Sequence, residues 1–272
     1  MTRVLTATIF LSITLACIVS GGFVFALFAL LLVYLGMKEL LQFMKAKGNN
    51  PCDLFIYITC FLYLVLGFFN RPDYIAVLTT FVIIGTFLAV LKRGKDSRIQ
   101  DIGSTLLCIT YGGFLPSHFL FLRNLNITGI DFLGIHVRSG FGYVLLLFVV
   151  ISITDIAAYY TGTKFGKTPL FKEISPKKTV EGAVGGTMFA ILASIIVGHL
   201  IHLDLVHSII AGVLITAAAQ LGDLAESMMK RDAGIKDSAT LLPGHGGILD
   251  RADSYIFSVA VAYYYFYYFI VC

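Results

Sequence analysis

Acidic and basic side chains recur at helical spacing near the carboxyl end of this 272-residue chain. Asp223, Glu226 or Ser227, and Lys230 stand at i, i+3 or i+4, and i+7, so a helix would place them along one stripe. Asp250 and Asp253 are about one turn apart, and a helix would turn both carboxylates toward the same cavity. Carboxylate oxygens flanked by cations suit magnesium holding a polyphosphate. This part of the sequence therefore predicts phosphoryl-type chemistry.

A glycine-rich turn separates these two groups of residues. It reads Pro243-Gly244-His245-Gly246-Gly247, and its glycines let bare backbone approach a ligand closely. It is not a Walker loop, because no Gly-Lys-Ser or Gly-Lys-Thr follows. Phosphoryl-type transfer depends on charge neutralisation and positioning more than on a special base. The turn is therefore a candidate phosphate contact, in which His245 either donates to a phosphate or fixes the turn.

A second polar segment includes an acid that the sequence places inside a membrane helix. Asp155 lies about eight residues, or roughly 12 Å, from the membrane end of its predicted helix, where an ionisable group is costly and usually functional. Tyr159 shares its helix face. Ser175, Lys177 and Lys178 precede another helix, whose free N–H groups favour phosphate binding. The segment predicts a phosphate cradle, although a lysine pair is also a common topology signal.

The whole chain has the composition of a membrane protein. Hydrophobic residues make up 58% of it and charged residues 13%, and the mean hydropathy is +0.88. A water-soluble fold could not bury so much apolar surface. The apolar runs are about 16 to 22 residues long, enough to cross a bilayer as helices, and they lack the strict alternation of a membrane barrel. Nine spans are predicted, near residues 4–20, 22–43, 54–69, 73–91, 102–122, 140–163, 179–201, 206–228 and 253–271.

These spans predict an all-α polytopic protein with one integral membrane domain, residues 1–272. Residues 1–122 would form the N-terminal helices, and residues 140–271 the catalytic helices. With loops assigned alternately to the two sides, all of the 20 Lys and Arg residues except Arg71, Arg123 and Arg138 fall on one side. Cytoplasmic loops carry such an excess. We therefore expect a cytoplasmic N-terminus, an extracytoplasmic C-terminus, and cytoplasmic loops at 164–178 and 229–252, which suits anionic lipid heads and nucleoside phosphates.

Other patterns have simpler explanations. The first apolar run could be a signal peptide with Cys17 as a lipoprotein site, but an uncleaved helix fits the charge distribution. Gly182 and Gly186 form a small-xxx-small step that favours close helix packing. The five cysteines include no Cys-x-x-Cys pair and are expected to be small buried apolar residues. A zinc site is conceivable at one outer turn, although polar residues also collect at helix ends by default. Its residues would be His199, His202, Asp204 and His207.

The segment from Ser227 to Asp253 resembles the signature of the phosphatidate cytidylyltransferase family. It reads Ser227-x-x-Lys230-Arg231-x4-Lys236-Asp237-Ser238-x4-Pro243-Gly244-His245-Gly246-Gly247-x2-Asp250-Arg251-x-Asp253. The segments Asp155…Tyr159…Gly162 and Ser175-Pro176-Lys177-Lys178-Thr179…Glu181-Gly182 also resemble the family. The N-terminal half is similar only in hydropathy and in its first few residues. Val180 and Ala239 depart from the residues common in the family, but neither carries a polar group.

The resemblance implies that CTP and phosphatidic acid react to give CDP-diacylglycerol and pyrophosphate, with Mg²⁺ required and K⁺ alongside it. Asp223 and Asp250 match the metal centre of the family, and Asp253 is placed with them. The predicted catalytic residues are Asp223, Lys230, Lys236, Asp237 and Asp250. The predicted substrate contacts are Asp155, Ser175, Lys177, Lys178, Ser227, Arg231, His245, Gly246, Gly247 and Arg251. The expected setting is a bacterial inner membrane with the site facing the cytoplasm, membrane lipids around it, no nucleic acid, and a homodimer.

Three other functions share some of these features. A CTP-dependent lipid-alcohol kinase and an archaeal-type ether-lipid synthase would use the same nucleotide in the same setting. A cation-coupled transporter would also carry intramembrane acids, but it should show inverted repeats in both halves, whereas the polar residues here crowd into one half. The simplest alternative is structural, with Asp223 paired to Lys230 and Asp250 to Arg251.

Overall fold

The fold is almost entirely helical over the residues that the computed structural model describes, which are 2–125, 129–132, 135–235 and 247–271. The α-helices, numbered in chain order, are α1 (Thr2–Ser20), α2 (Gly22–Ala46), α3 (Asp53–Phe68), α4 (Ile75–Leu91), α5 (Ile99–Ile109), α6 (Leu115–Asn124), α7 (Ser139–Phe165), α8 (Val180–Leu200), α9 (Leu205–Asp232) and α10 (Leu249–Phe266). Short 3₁₀ turns cover Pro72–Tyr74 and Gly94–Asp96, and π-helical turns cover Thr110–Phe114 and Tyr267–Val271.

Each of the nine predicted apolar runs contains a helix, which confirms the all-α polytopic class. Within the described residues, seven helical stretches are long and apolar enough to cross a membrane. They are Gly22–Ala46, Pro72–Leu91, Ile99–Asn124, Gly140–Phe165, Val180–Leu200, Leu205–Asp232 and Leu249–Val271. The apolar helices Thr8–Ser20 and Asp53–Phe68 are shorter. The count of nine spans and the orientation of the termini stay predictions.

Two short antiparallel hairpins interrupt the helices, and the sequence did not predict them. In the first, β1 (Gly129–Phe132) pairs with β2 (Ile135–Arg138). In the second, β3 (Pro169–Phe171) pairs with β4 (Ser175–Thr179), in a register that sets Pro169 opposite Thr179. Strand β4 runs directly into α8, where the Thr179 hydroxyl oxygen accepts a hydrogen bond from the Gly182 N–H at 3.1 Å. The lysine pair predicted as a phosphate cradle therefore sits on a strand that leads into a capped helix.

The chain divides into two compact units. The first contains Met1–Asn124 and Met229–Ala252, and the second contains Leu125–Met228 and Asp253–Cys272. The sequence analysis grouped residues 229–252 with the C-terminal helices, and the described residues of that range fall in the first unit. The predicted domain bounds stay a prediction. Helices α9 and α10 each contribute residues to both units.

Two buried charged side chains in the first unit, Asp101 and Arg123, have partners distant in sequence. The Asp101 side chain, only 1% exposed, accepts from the Asn50 N–H at 2.7 Å and pairs with Arg93 and Arg98. The Arg123 guanidinium donates to the carbonyl of Ile18 at 3.0 Å. This carbonyl belongs to the last turn of α1, where the helix itself offers no donor. Such contacts supply the polar partners that lipid cannot.

Close packing of α7 against α8 organises the second unit. A Cβ atom added at Gly182 would lie 2.8 Å from the Ala158 carbonyl oxygen and 3.1 Å from the Gly162 Cα. One added at Gly186 would lie 3.0 Å from the Thr154 carbonyl oxygen. The helices approach so closely that only hydrogen fits at these positions. This confirms the packing interpretation of the Gly182 and Gly186 step.

We predict that Gly182→Ala destabilises the protein by about 1 to 3 kcal/mol, because the added methyl group must push the α7 backbone away. The measurement is thermal unfolding in detergent. Gly103→Ala is the matched control, since a Cβ there meets nothing within 4 Å and Gly103 also lies inside a helix. Equal unfolding temperatures for Gly182→Ala and the wild type would contradict the packing argument.

Candidate active site

A cavity of about 510 Å³ lies in the second unit, and five residues that the sequence singled out as substrate or metal contacts line it. They are Asp155, Ser175, Lys177, Lys178 and Asp223. Helix α7 supplies the first, β4 the next three and α9 the last. The remaining lining residues are Thr154, Ala158, Tyr159, Gly162, Thr163, Leu170, Thr179, Gly182, Ala183 and Gln220. The cavity therefore brings together residues from three elements, although Asp155 and Asp223 are 68 residues apart in sequence.

Charges of both signs meet in this cavity. The Lys178 ammonium forms an ion pair with the Asp223 carboxylate, and both side chains are 30% exposed. Asp155 interacts electrostatically with Asp223 and with Lys178. The structural alternative paired Asp223 with Lys230, but among the described contacts its ion pair is with Lys178. Lys177 lines the same cavity, so two lysines and two carboxylates face each other there.

Asp253 lies near these acids because α9 and α10 touch at a glycine. A Cβ at Gly222 would lie only 2.5 Å from the Asp253 carbonyl oxygen, so a larger residue would force the helices apart. Asp253 interacts electrostatically with Asp223, Glu226 and Asp155. The close approach of the α10 backbone therefore explains why a glycine stands directly before Asp223.

Sequence reasoning missed Gln220, which also lines the cavity. Its amide nitrogen donates to the Ala183 carbonyl and to the Thr187 hydroxyl, each at 3.2 Å, and so ties α9 to α8. Gln220 stands three residues before Asp223 and continues the polar stripe backward into the membrane. This spacing could have identified Gln220 from the sequence, because a polar amide inside a membrane helix needs a hydrogen-bond partner.

Glu181 holds the hairpin that carries the two lysines. Its carboxylate accepts hydrogen bonds from the Lys167 N–H at 3.1 Å and from the Thr168 N–H at 3.2 Å. The Val180 N–H donates to the Thr168 carbonyl at 2.9 Å. These bonds connect the start of α8 to the residues that lead into β3. Lys177 and Lys178 therefore lie on a hairpin that is stabilised by hydrogen bonds to α8.

The first unit holds a second group of predicted site residues. The Lys230 ammonium contacts the Asp250 carboxylate at 2.6 Å, and their side chains are only 15% and 16% exposed. The other carboxylate oxygen of Asp250 accepts from the Gly247 N–H at 3.0 Å. Asp250 thus pairs with Lys230, whereas the structural alternative expected Arg251. Asp250 belongs to the first unit and Asp253 to the second, and the cavity predicted for both carboxylates stays a prediction.

Of the remaining predicted site residues, some lie in the described part of the chain and others lie outside it. The Ser227 hydroxyl lies 3.5 Å from the Asp223 carboxylate, one turn along α9. Arg231 and Arg251 are exposed near the ends of α9 and α10 that meet the 232–249 connection. Four predicted contacts lie outside the described residues. They are Lys236, Asp237, His245 and Gly246.

The donor set is compatible with magnesium. Among the residues the structure describes, no three His, Cys, Asp or Glu side chains form a group that could hold a metal ion unaided. Protein magnesium sites commonly use one or two carboxylates and complete the shell with substrate phosphate oxygens and water. Asp155, Asp223 and Asp253 supply carboxylates of that kind in the second unit. A phosphate entering beside them would be repelled unless a cation lay between.

Two of the four polar residues at the turn between α8 and α9, Asp204 and His207, have structural partners. The His207 ring lies 2.8 Å from the Tyr265 hydroxyl. The Asp204 carboxylate accepts from the Val206 N–H at 2.9 Å and caps the start of α9. All four residues of this cluster are described, and they form no metal-binding group. The zinc interpretation therefore has no support.

An integral membrane protein of packed helices, with lysines and carboxylates facing a cavity, has the features of a membrane enzyme that handles phosphates. Comparison with known proteins agrees. Residues 1–269 match the model of the cytidylyltransferase family. The chain therefore belongs to the cytidylyltransferase family, and it is a nucleotidyltransferase.

Named relatives resemble this chain over most of its length. The phosphatidate cytidylyltransferase of Synechocystis sp. is 35% identical over 283 residues, which cover 97% of this chain and 95% of that protein. The enzyme of the same name from Staphylococcus saprophyticus is 32% identical and covers 94% of each chain. Phosphatidate cytidylyltransferase 4, chloroplastic, of Arabidopsis thaliana is 35% identical over 93% of this chain and 70% of its own length.

We predict that Lys177→Gln and Lys178→Gln each lower the catalytic efficiency of nucleotidyl transfer about tenfold or more, since a charge-assisted hydrogen bond contributes roughly 1.5 to 3 kcal/mol. The loss should be larger for Lys178, because its removal also leaves the Asp223 carboxylate without its cation. The apparent affinity for each substrate is measured separately, with membrane insertion checked in parallel.

Lys172→Gln is the control for these two variants. Lys172 is an exposed lysine in the turn of the same hairpin and does not line the cavity, so its loss should be silent. Wild-type kinetics for both cavity variants would show that the lysine pair acts only as a topology signal.

Proposed function

We propose that this protein is a phosphatidate cytidylyltransferase, which converts CTP and phosphatidic acid into CDP-diacylglycerol and pyrophosphate. The observation that carries the proposal is the cavity in which Lys177 and Lys178 face Asp155 and Asp223. It is large enough for a nucleotide and combines cations for phosphate with carboxylates for a metal ion. The names of the relatives support the choice of substrates.

The proposed reaction is an in-line displacement at phosphorus. An oxygen of the phosphatidic acid phosphate attacks the α-phosphorus of CTP, the bond from that phosphorus to the β-bridging oxygen breaks, and pyrophosphate leaves. The lipid phosphate has a second pKa of about 6, so near pH 7 it needs little deprotonation. A strong general base is therefore unnecessary, and the protein has mainly to bring two anions together.

In this scheme, the lysines overcome the repulsion between the anions. Lys177 and Lys178 would position phosphate groups in the cavity of the second unit. When phosphate binds Lys178, the Asp223 carboxylate is released from its ion pair and becomes available as a ligand. In the first unit, Lys230 would act on phosphate in the same way, with Asp250 as its partner. Arg231, Lys236 and Arg251 are proposed as further cationic contacts.

Magnesium is the proposed cofactor, together with a potassium ion. Asp223 and Asp253 are the proposed ligands in the second unit, and Asp250 is the proposed ligand in the first. Bound magnesium would neutralise the triphosphate and the leaving pyrophosphate. Ser175 is proposed to donate a hydrogen bond to a phosphate group in the second unit, and the Gly246-Gly247 backbone to one in the first. Asp155 would keep the cavity of the second unit selective for cation-bound phosphate.

The proposed site faces the cytoplasm of a bacterial inner membrane, where CTP is available. Support comes from the basic residues of loops 164–178 and 229–252, in contrast to the turn near 201–206, which has no Lys or Arg. A homodimer is part of the proposal as well.

The deciding experiment incubates purified protein with CTP, phosphatidic acid and magnesium, with the label in either the cytosine ring or the γ-phosphate. Cytidylyl transfer sends only the cytosine label into the lipid phase. A lipid-alcohol kinase, given its alcohol, sends only the γ-phosphate label there. Failure to label lipid under every lipid and metal condition would remove the proposed function.

We predict that Asp223→Asn and Asp250→Asn each reduce turnover to below about a tenth of the wild-type rate, because losing a ligand to the catalytic cation costs several kcal/mol. Both variants should remain folded in detergent. Asp232→Asn is the control, since Asp232 lies near both positions in sequence but is an exposed partner of Lys47. Retention of more than about a tenth of the activity by either variant would argue against its ligand role.

We also predict that a cysteine introduced at Ala233, in a variant lacking the native cysteines, reacts with a membrane-impermeant reagent only from the cytoplasmic side. Arg71→Cys, in the exposed turn before α4, should react only from the opposite side. Labelling of position 233 from outside would overturn the orientation, and with it the access of cytosolic CTP.

A further inference from the structure

A buried carboxylate in the N-terminal half of the chain holds the turn that presents Asp250. Glu39 lies on α2, seven residues before the end of that helix, and is only 1% exposed. An ionisable side chain buried in a membrane helix is costly unless it is well paired. Sequence reasoning did not single out Glu39, since nothing near it in the chain suggests a partner.

The partners of Glu39 are two successive backbone N–H groups at the start of α10. One carboxylate oxygen accepts from the Ile248 N–H at 2.9 Å, and the other accepts from the Leu249 N–H at 2.8 Å. The first N–H groups of a helix have no partner within the helix, and the helix dipole favours negative charge there. Glu39 therefore caps α10 from a position about two hundred residues away in sequence.

The capped turn carries the Asp250 carboxylate. Directly before α10, the Gly247 N–H donates to Asp250 at 3.0 Å, while Lys230 contacts the other oxygen of the same carboxylate at 2.6 Å. The Ile248 carbonyl accepts from the Arg251 and Ala252 N–H groups, each at 3.1 Å, which begins the helical hydrogen bonding. Glu39 thus fixes the two residues between Gly247 and Asp250. If this backbone rotated, the Asp250 carboxylate would lose its orientation toward Lys230.

We infer that Glu39 is a positioning residue for catalysis: it orients Asp250 and the Gly247 backbone through the start of α10 without touching substrate. The inference rests on the proposed function for the catalytic role of Asp250. The contact between Glu39 and the turn stands independently of that function. Glu39 extends the active-site machinery into the N-terminal helices.

The test is Glu39→Gln, which preserves shape but replaces one accepting oxygen by an NH₂ group that faces an N–H donor. Two quantities are measured: hydrogen exchange at the Ile248 and Leu249 amides, and the kinetics of cytidylyl transfer per folded molecule. We expect faster exchange at these two amides. We also expect kcat to fall about ten- to a hundredfold with a much smaller change in the KM for CTP, since bonds to a charged group are lost.

Asp101→Asn is the matched control. Asp101 is also a buried acid of the first unit, 1% exposed, that accepts a backbone N–H bond from a distant residue. Its loss should reduce the yield of folded protein without changing kcat per folded molecule or exchange at residues 248 and 249. If Glu39→Gln does not fold, Glu39→Asp is measured instead, because its shorter side chain cannot reach both N–H groups.

Each outcome decides the inference. Unchanged exchange at residues 248 and 249 would show that Glu39 does not hold the turn. Faster exchange with wild-type kcat would show that the contact is purely structural. A lowered kcat in Asp101→Asn would show that losing another buried acid of the first unit has the same effect, so that the role of Glu39 is structural and not specific to Asp250. Wild-type protein with no cytidylyl transfer would overturn the proposed function and the catalytic part of this inference, while amide exchange would still decide the contact.

Discussion

A carboxylate in a membrane protein must be paired within the protein, because lipid offers neither water nor counter-ions. The contacts of the candidate site follow from this requirement. Asp223 pairs with Lys178, and Asp250 pairs with Lys230. Such pairs hold their charges in place and still leave them exchangeable, since an incoming phosphate can replace a carboxylate beside a lysine. The same pairing that stabilises the site thus also makes it suitable for binding phosphate groups.

Small residues make this pairing possible by letting backbones approach. Gly182 brings α8 against α7, and Gly222 brings the α10 backbone against α9. In both cases a side chain would separate helices that carry site residues, so the glycines govern the distance between charged groups without contacting them. Packing in the membrane interior and charge placement at its surface are therefore coupled.

The sequence predicted the helices well because apolar runs of spanning length leave little choice of structure in lipid. Three residues that it singled out as substrate or metal contacts, Asp155, Lys178 and Asp223, line one cavity. They could be singled out because they lie in polar segments that composition alone does not explain. The hairpins escaped prediction because strands of three to five residues in polar connections show no measurable period. The ion pairs were not predicted. Helical spacing offered Lys230 as a structural alternative partner for Asp223, whereas Asp223 pairs with Lys178 from a distant strand, and no local rule indicates such a partner.

The direct passage of β4 into α8 has a consequence for how the chain can vary in length. Lys178 is two residues from the start of α8, and the Thr179 cap and the Gly182 contact fix where that helix begins. An added residue between 178 and 182 would turn the lysine away from Asp223 or break the cap. At the other end of the hairpin, the turn over residues 172–174 lies beyond the last paired residues, Phe171 and Ser175. Insertions and deletions among homologous chains should therefore accumulate at that turn and be absent from the junction with α8.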